Sequence, residues 1–371
     1  MSNKNPTDRA QDVYAGLRSA RLILPCRDLS QTLRFLQERL GFRTDRIFPA
    51  DDPREAWVSG LGLQLILLRD AEAAPAEIRV ECDASAAKRF EGDELTGPGG
   101  LRIELLAPPG QAELPALRSA LIISRSSDSA QWIVGRAGMR YRDLIPGRLG
   151  GRFIASHIAI PDGGPVPDSV HFHAIHFQLI YCLKGWVRVV YEDQGEPFVL
   201  KAGDAVLQPP LIRHRVLEAS EGLEVLEVSC PAEHETMIDH RLQLPNPTHK
   251  PERDFSGQGF VRHIAEQSTW TAADADGFER CTTAIERATD GLASVEIARP
   301  CAARTPIHRN HNGPAFHFVY VLSGKLSLTG DDSFTTWLNM GDSIVLPSEL
   351  EWSFGETSSD LMFVDVRVQE A

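Results

Sequence analysis

The chain has 371 residues and a formal net charge of −13, with 38 basic against 51 acidic side chains. It has no long basic run that could track a phosphate backbone, so nucleic acid is not an expected partner. No stretch reaches the roughly 18 apolar residues of a membrane span, and the start, Met1 to Arg9, is polar; a cytoplasmic protein, neither exported nor inserted in a membrane, is expected. At 42% hydrophobic residues the chain can bury ordinary cores in two or three domains. The six cysteines (Cys26, Cys82, Cys182, Cys230, Cys281, Cys301) show no C-x-x-C spacing and suit a reducing compartment as buried thiols.

Along the chain, Arg21–Cys26 predicts a strand. Asp28-Leu29-Ser30 offers a helix N-cap before Leu33, Phe35, Leu36 and Leu40, and Gly41 stops the helix. Strand-like runs follow at Phe42–Phe48, Glu55–Val58, Leu61–Leu68, Ile78–Cys82 and Leu101–Leu106. This succession, with the closing Ile103-Glu104-Leu105, resembles one module of the vicinal oxygen chelate (glyoxalase-like) family. It implies a small α+β domain of βαβββ type over residues 12–110. The family's metal ligands correspond to Arg21 and Glu104, and arginine stays protonated, so half of the pair is missing. A degenerate module that is structural or dimer-forming is expected. The other reading has Arg21 and Glu104 lining a pocket for an anionic ligand or an interface.

Residues 111–138 are expected as a linker with an apolar run at Leu121-Ile-Ile123, and Gln131–Arg142 as a short helix with Trp132, Ile133 and Met139 on one face. The remainder repeats itself. Phe177 to Gly185 parallels Phe316 to Gly324, and Leu200 to Pro209 parallels Leu338 to Pro347; the glycines Gly185 and Gly324 lie 139 apart, Gly203 and Gly341 138 apart. The runs of Val, Ile, Leu, Phe and Tyr, broken by Gly, Pro, Asp and Asn, predict a mainly β chain with two tandem sandwich or jelly-roll domains: 139–235 and 271–371, joined by a linker at 236–270.

The first copy carries His171-Phe172-His173, Gln178, Gly185, then Gly203-Asp204, Pro209 and His214. Residues two apart on a strand share a face, so His171 and His173 can both aim into a barrel. The whole pattern resembles the cupin superfamily, and the tandem resembles a bicupin over about residues 139–371. The resemblance implies one divalent transition metal held by His171, His173, Gln178 and His214: iron(II) is favoured, and manganese, nickel, copper and zinc also accept the set. Neutral ligands leave the ion its full double charge, which favours an anionic or enolizable small-molecule substrate.

Tyr181, Gln208, His157, Arg213 and Arg215 are candidate pocket residues, and His176 falls between the motif positions. In the second copy Asn310-His311-Asn312, His317 and Trp352 replace the ligands, so that barrel is expected to be structural; His308, His311 and His317 are the residues that could improvise a second site. The expected activity is oxygen-dependent cleavage of a small substrate that chelates the metal through vicinal oxygens, a dioxygenase reaction. An isomerase or lyase that uses no oxygen, and a non-catalytic binding or regulatory protein, are the alternatives. A homodimer is among the expected partners.

Overall fold

The computed structural model describes the chain apart from residues 1–20, 50–52, 71–74, 82–94, 107–113, 129–131, 135–138, 235, 273–276, 302–306, 310–312, 331–333 and 370–371. It divides into two compact units, 1–110 and 111–371.

The first unit contains β1 (Leu22–Cys26), α1 (Leu29–Leu40), β2 (Arg43–Phe48), β3 (Glu55–Gly60) and β4 (Leu63–Arg69). Their sheet order is β1-β4-β3-β2, with β1 parallel to β4. The Asp28 carboxylate accepts the Gln31 N–H at 2.9 Å and starts α1, and Gly41, at φ 67°, ends it. Leu29 and Leu36 on α1 share a core with Ala56, Val58, Leu65 and Leu67, the residues that alternate onto one face of the sheet. A parallel pair, β5 (Glu77–Glu81) and β6 (Arg102–Leu106), adds Ile78 and Ile103 to that core. The expected βαβββ order is the one found.

The second unit consists of two jelly-roll barrels, each made of two sheets. One sheet of the first barrel runs in the order Val261–His263, Ala205–Leu207, Phe177–Lys184, Leu223–Cys230, Ile154–Ile160, Arg140–Asp143, Ile133–Val134. The facing sheet runs Phe198–Lys201, Trp186–Tyr191, His214–Ala219, His171–His173, Thr236–Ile238. In the second barrel the large sheet is centred on Ala293–Pro300, Met362–Val368 and Phe316–Ser323, and the small one on Lys325–Gly330 and Trp352–Thr357.

Period-2 alternation sorts each central strand between two cores. Phe177, Leu179 and Tyr181 face the second barrel, as Phe316, Phe318 and Tyr320 face the first, and together they form one shared core in which Phe153 stacks on Phe316 at 4.0 Å. Ile180 and Cys182 face the first barrel's interior, and Val319 and Val321 that of the second.

The stretches expected as linkers, 111–138 and 236–270, are partly strands. Ile122–Ser124 pairs with Ser343–Val345 of the second barrel, and Val261–His263 pairs with Ala205–Leu207 of the first. These two strands lie 139 residues apart, the spacing of the repeat, so each copy lends its leading strand to the other barrel. The Gly-Asp pairs hold the loan. Asp204 accepts from the backbone N–H of Lys201 (3.0 Å) and of Ala265 (2.9 Å), while Asp342 accepts from Asn339 (2.9 Å) and Ser126 (2.7 Å). Gly203 and Gly341 have φ of 94° and 83°, and a Cβ on either would come within 2.9 Å of the borrowed arm, at Ala265 and Ser126.

No helix forms in the described part of 131–142. Ile133–Val134 and Arg140–Asp143 are antiparallel strands instead, because they pair with each other and Arg140–Asp143 pairs in turn with Ile154–Ile160, which satisfies their backbone.

Candidate metal centre

His171 and His173 point inward from one short strand and are 1% and 8% exposed, while Phe172 between them faces out beneath the Arg213 guanidinium, 4.1 Å away. His214 opens the neighbouring antiparallel strand directly opposite His171, which puts their rings 4.2 Å apart. The donor nitrogens of His171, His173 and His214 lie within 4.8 Å of one another, the one such cluster among the described residues.

Each ring is also oriented from behind. His171 Nδ1 donates to the Ser169 carbonyl at 2.7 Å with the buried Asp168 carboxylate 3.6 Å away, His214 Nδ1 donates to the Ile212 carbonyl at 3.0 Å, and His173 Nδ1 lies 3.2 Å from Thr236 Oγ1. These contacts leave Nε2 as the atom each ring offers to a metal, the usual outer support of a histidine ligand. Three neutral, converging imidazoles fit a divalent transition ion.

An amide chain adjoins the triad. Tyr191 Oη donates to Gln208 Oε1 at 2.6 Å, Gln208 Nε2 donates to Gln178 Oε1 at 2.9 Å, and Gln178 Nε2 donates to Glu227 Oε1 at 2.6 Å. Since a carboxylate only accepts, Glu227 fixes which end of Gln178 faces inward: its oxygen. Gln208 Nε2 also lies 3.4 Å from His214 Nε2, so the amide oxygen and the third imidazole meet at one point. Burial pushes the Tyr191 phenol up, which keeps it a donor.

The other candidates sit elsewhere. Tyr181 is buried in the core between the barrels because it shares the face of Phe177 and Leu179, not that of Gln178. Arg213 turns outward to Asp239 (3.4 Å), and Arg215, also out of register with His214, does not line the cavity. His157 points toward the second barrel between Arg142 (3.2 Å) and Glu224 (2.8 Å); burial and Arg142 hold its pKa down against the pull of Glu224. His176 does not line the cavity.

The sequence reading missed Tyr191, Glu227, His234, Thr236 and Arg148, all of which line it. For Tyr191 and Glu227 the available signal was strand parity; the other three come from outside the motif strands.

In the second barrel His317 Nε2 meets Asp365 at 2.8 Å, and Arg280 and Arg367 complete a buried ion cluster; although burial alone would raise it, these three partners hold the Asp365 carboxyl far below the usual range. Trp352 and Phe354 fill the space beside them. His311 and the side chain of His308 lie outside the described residues. In the first unit Arg21 lies over the Trp57 ring at 4.4 Å, and Glu104 pairs with Arg79 at 2.7 Å.

The triad opens into a cavity of about 510 Å³. Arg148 is the one arginine or lysine on its described wall and pairs with Glu233 at 3.1 Å. Arg148 and Leu149 hold φ of 49° and 50° inside a left-handed turn, a conformation that side-chain-bearing residues rarely adopt. No described helix is long and apolar enough to cross a membrane.

Among solved structures, the chain is similar to a variant of the Bacillus subtilis oxalate decarboxylase OxdC (15% identity, 76% of this chain and 83% of that one, TM-score 0.49). It is also similar to the Lactobacillus farciminis oxalate decarboxylase formate complex (15%, 67% and 86%, TM-score 0.48) and to protein Ylba from E. coli (13%, 70% and 95%, TM-score 0.48). No curated protein matches the sequence. Residues 156–229, which include the histidine triad and the strands that carry it, match the family model described as Cupin domain.

Proposed function

We propose that the first barrel is the active site of a metal-dependent enzyme that cleaves a small, oxygen-chelating organic substrate with dioxygen. The observation that carries this reading is the buried triad His171, His173 and His214, each ring braced at Nδ1, facing a cavity large enough for a substrate beside it. Gln178 Oε1, oriented by Glu227, is the fourth donor. Iron(II) is the favoured ion, and a bound ion supplies Lewis acidity and, when redox-active, an electron relay to dioxygen.

The protein's own part is to position and to exclude water. Gln208, held by Tyr191, keeps an amide donor beside His214 that can bond an oxygen of a substrate. The apolar wall shields the reacting end from bulk solvent. We further propose that the first unit is a glyoxalase-like module without a metal of its own, since Arg21 and Glu104 are engaged by Trp57 and Arg79.

The test is to measure metal content of the purified protein and to follow oxygen uptake with catechols, gentisate-like acids, diketones and sugars. His171→Ala and His214→Ala should each lose the metal and the uptake. Full occupancy in both variants would remove the site, and turnover without oxygen would move the reaction to the isomerase or lyase class.

A further inference from the structure

The cavity is polarised along the barrel axis. Strand register places Tyr191 opposite His214, and the next inward pair on the same two strands is Val189 opposite Val216, followed by Val187 opposite Ala219. On the facing sheet Ser156 lies opposite Glu227, then Ile158 opposite Val225, then Ile160 opposite Leu223. Beyond the level of the histidines and Glu227 the inward positions of these four strands are therefore aliphatic, and Tyr141, paired with Ile158, and Met139 join them from the neighbouring edge; Ser156 to Ile160 spans roughly 13 Å at the rise of a strand.

The two ends differ in access as well. Val187, Leu200 and Leu223 at the aliphatic end are 5%, 1% and 3% exposed and Ile160 is half-buried, so the described residues there form a largely buried floor. At the histidine end the Glu233 side chain is 84% exposed and the His234 ring lies 5.1 Å from that of His173, which marks the mouth.

A molecule that enters at the mouth must pass the histidines with its apolar part leading. An ionised group carried below Glu227 would find no oppositely charged side chain among the described residues of the wall and would be costly to bury. A very small polar molecule would leave the aliphatic floor uncovered and gain nothing from it.

We infer that the site takes an amphipathic small molecule, with an oxygen-bearing head at the level of the histidines and an alkyl or aryl tail inserted into the floor. This rests on the proposed reading that the triad is the reacting end. It adds the chemical class of substrate: medium-length tailed acids or ketones are favoured over short dicarboxylates, which leave the floor uncovered.

The probe is the series of straight-chain 2-oxo acids from pyruvate to 2-oxodecanoate, titrated calorimetrically into the full-length protein, once loaded with manganese(II) and once after chelation. Each added methylene should tighten binding roughly three- to fourfold until the tail fills the floor, after which affinity should fall. Ile158→Phe and Val225→Phe, with folding checked by circular dichroism, should move the tightest-binding member to a shorter chain. A flat series, no binding by the longer members, or an optimum unmoved in both folded variants overturns the inference. The two readings fail separately. A rising series in a protein that binds no metal leaves the tail pocket standing and removes the metal centre; a flat series in a metal-loaded protein does the reverse.

Discussion

At the scale of single residues, the three imidazoles differ in how they are held, and this makes their support testable. His171 and His214 lean on backbone carbonyls that mutation cannot remove, whereas His173 leans on the Thr236 hydroxyl. Thr236→Val should therefore weaken metal binding about tenfold while the fold stays intact, measured by competition against a chromophoric chelator; an unchanged affinity would mean that contacts other than the Thr236 hydroxyl orient His173.

His171, His173 and His214 were legible because a His-x-His on a strand has a fixed geometry. Gln208 was legible as a neighbour on the same barrel. Tyr181 was misjudged for a physical reason: its strand is buried on both faces, Phe177 and Leu179 on one side and Ile180 and Cys182 on the other, so hydrophobicity does not say which face looks at the metal. Only the parity of Gln178 does. Thr236 and His234 were illegible, since they reach the cavity from beyond the motif strands.

At the scale of elements, the lesson lies in strands too short to announce themselves. Ile122–Ser124 and Val261–His263 have three residues each, one alternation apiece, and nothing in such a run distinguishes a strand from an apolar linker. The Gly-Asp turns were read as punctuation, but their carboxylates hold backbone donors of a borrowed strand. Asp204→Ala and Asp342→Ala should each cost about 1–3 kcal/mol in urea unfolding by leaving those N–H groups unsatisfied. Asp342→Ala should cost more, because Arg125, 3.1 Å away, loses its carboxylate as well. A chain starting after Asp128 should show a second barrel that is cut readily by protease, although all of residues 271–371 is present, since Ser343–Val345 then loses one of its two partners and becomes an edge strand. Equal resistance in the shortened and full chains would make the exchange energetically idle.

At the scale of the whole molecule, the two barrels share one core, so they should unfold together. Phe316→Ala, which removes a ring stacked on Phe153 across that core, should lower stability by about 3–5 kcal/mol and leave a single transition for residues 111–371.

Acid should destabilise the protein in two stages. His157 and His263 are held below the usual histidine pKa, chiefly by burial, so the folded state favours the neutral rings; their contribution is present above about pH 6.5 and is lost as pH falls below it. Asp365, held low by His317, Arg367 and Arg280, and Asp342, held low by backbone donors and Arg125, keep theirs until the pH drops toward about 4. Urea midpoints measured from pH 8 to pH 3 should trace both steps, and His157→Gln should shrink the first.

The exchanged strands also bear on symmetry. A lone repeat would have a leading strand with no sheet to join and a Gly-Asp turn with no arm to hold, and two identical copies would satisfy each other around a twofold axis. Residues 111–371 have the form of such an arm-exchanged pair joined end to end. Joining the two in one chain removes the requirement that both halves be alike, and the halves differ: one has three converging imidazoles around an open cavity, the other packs Trp352 and Phe354 beside a buried ion cluster.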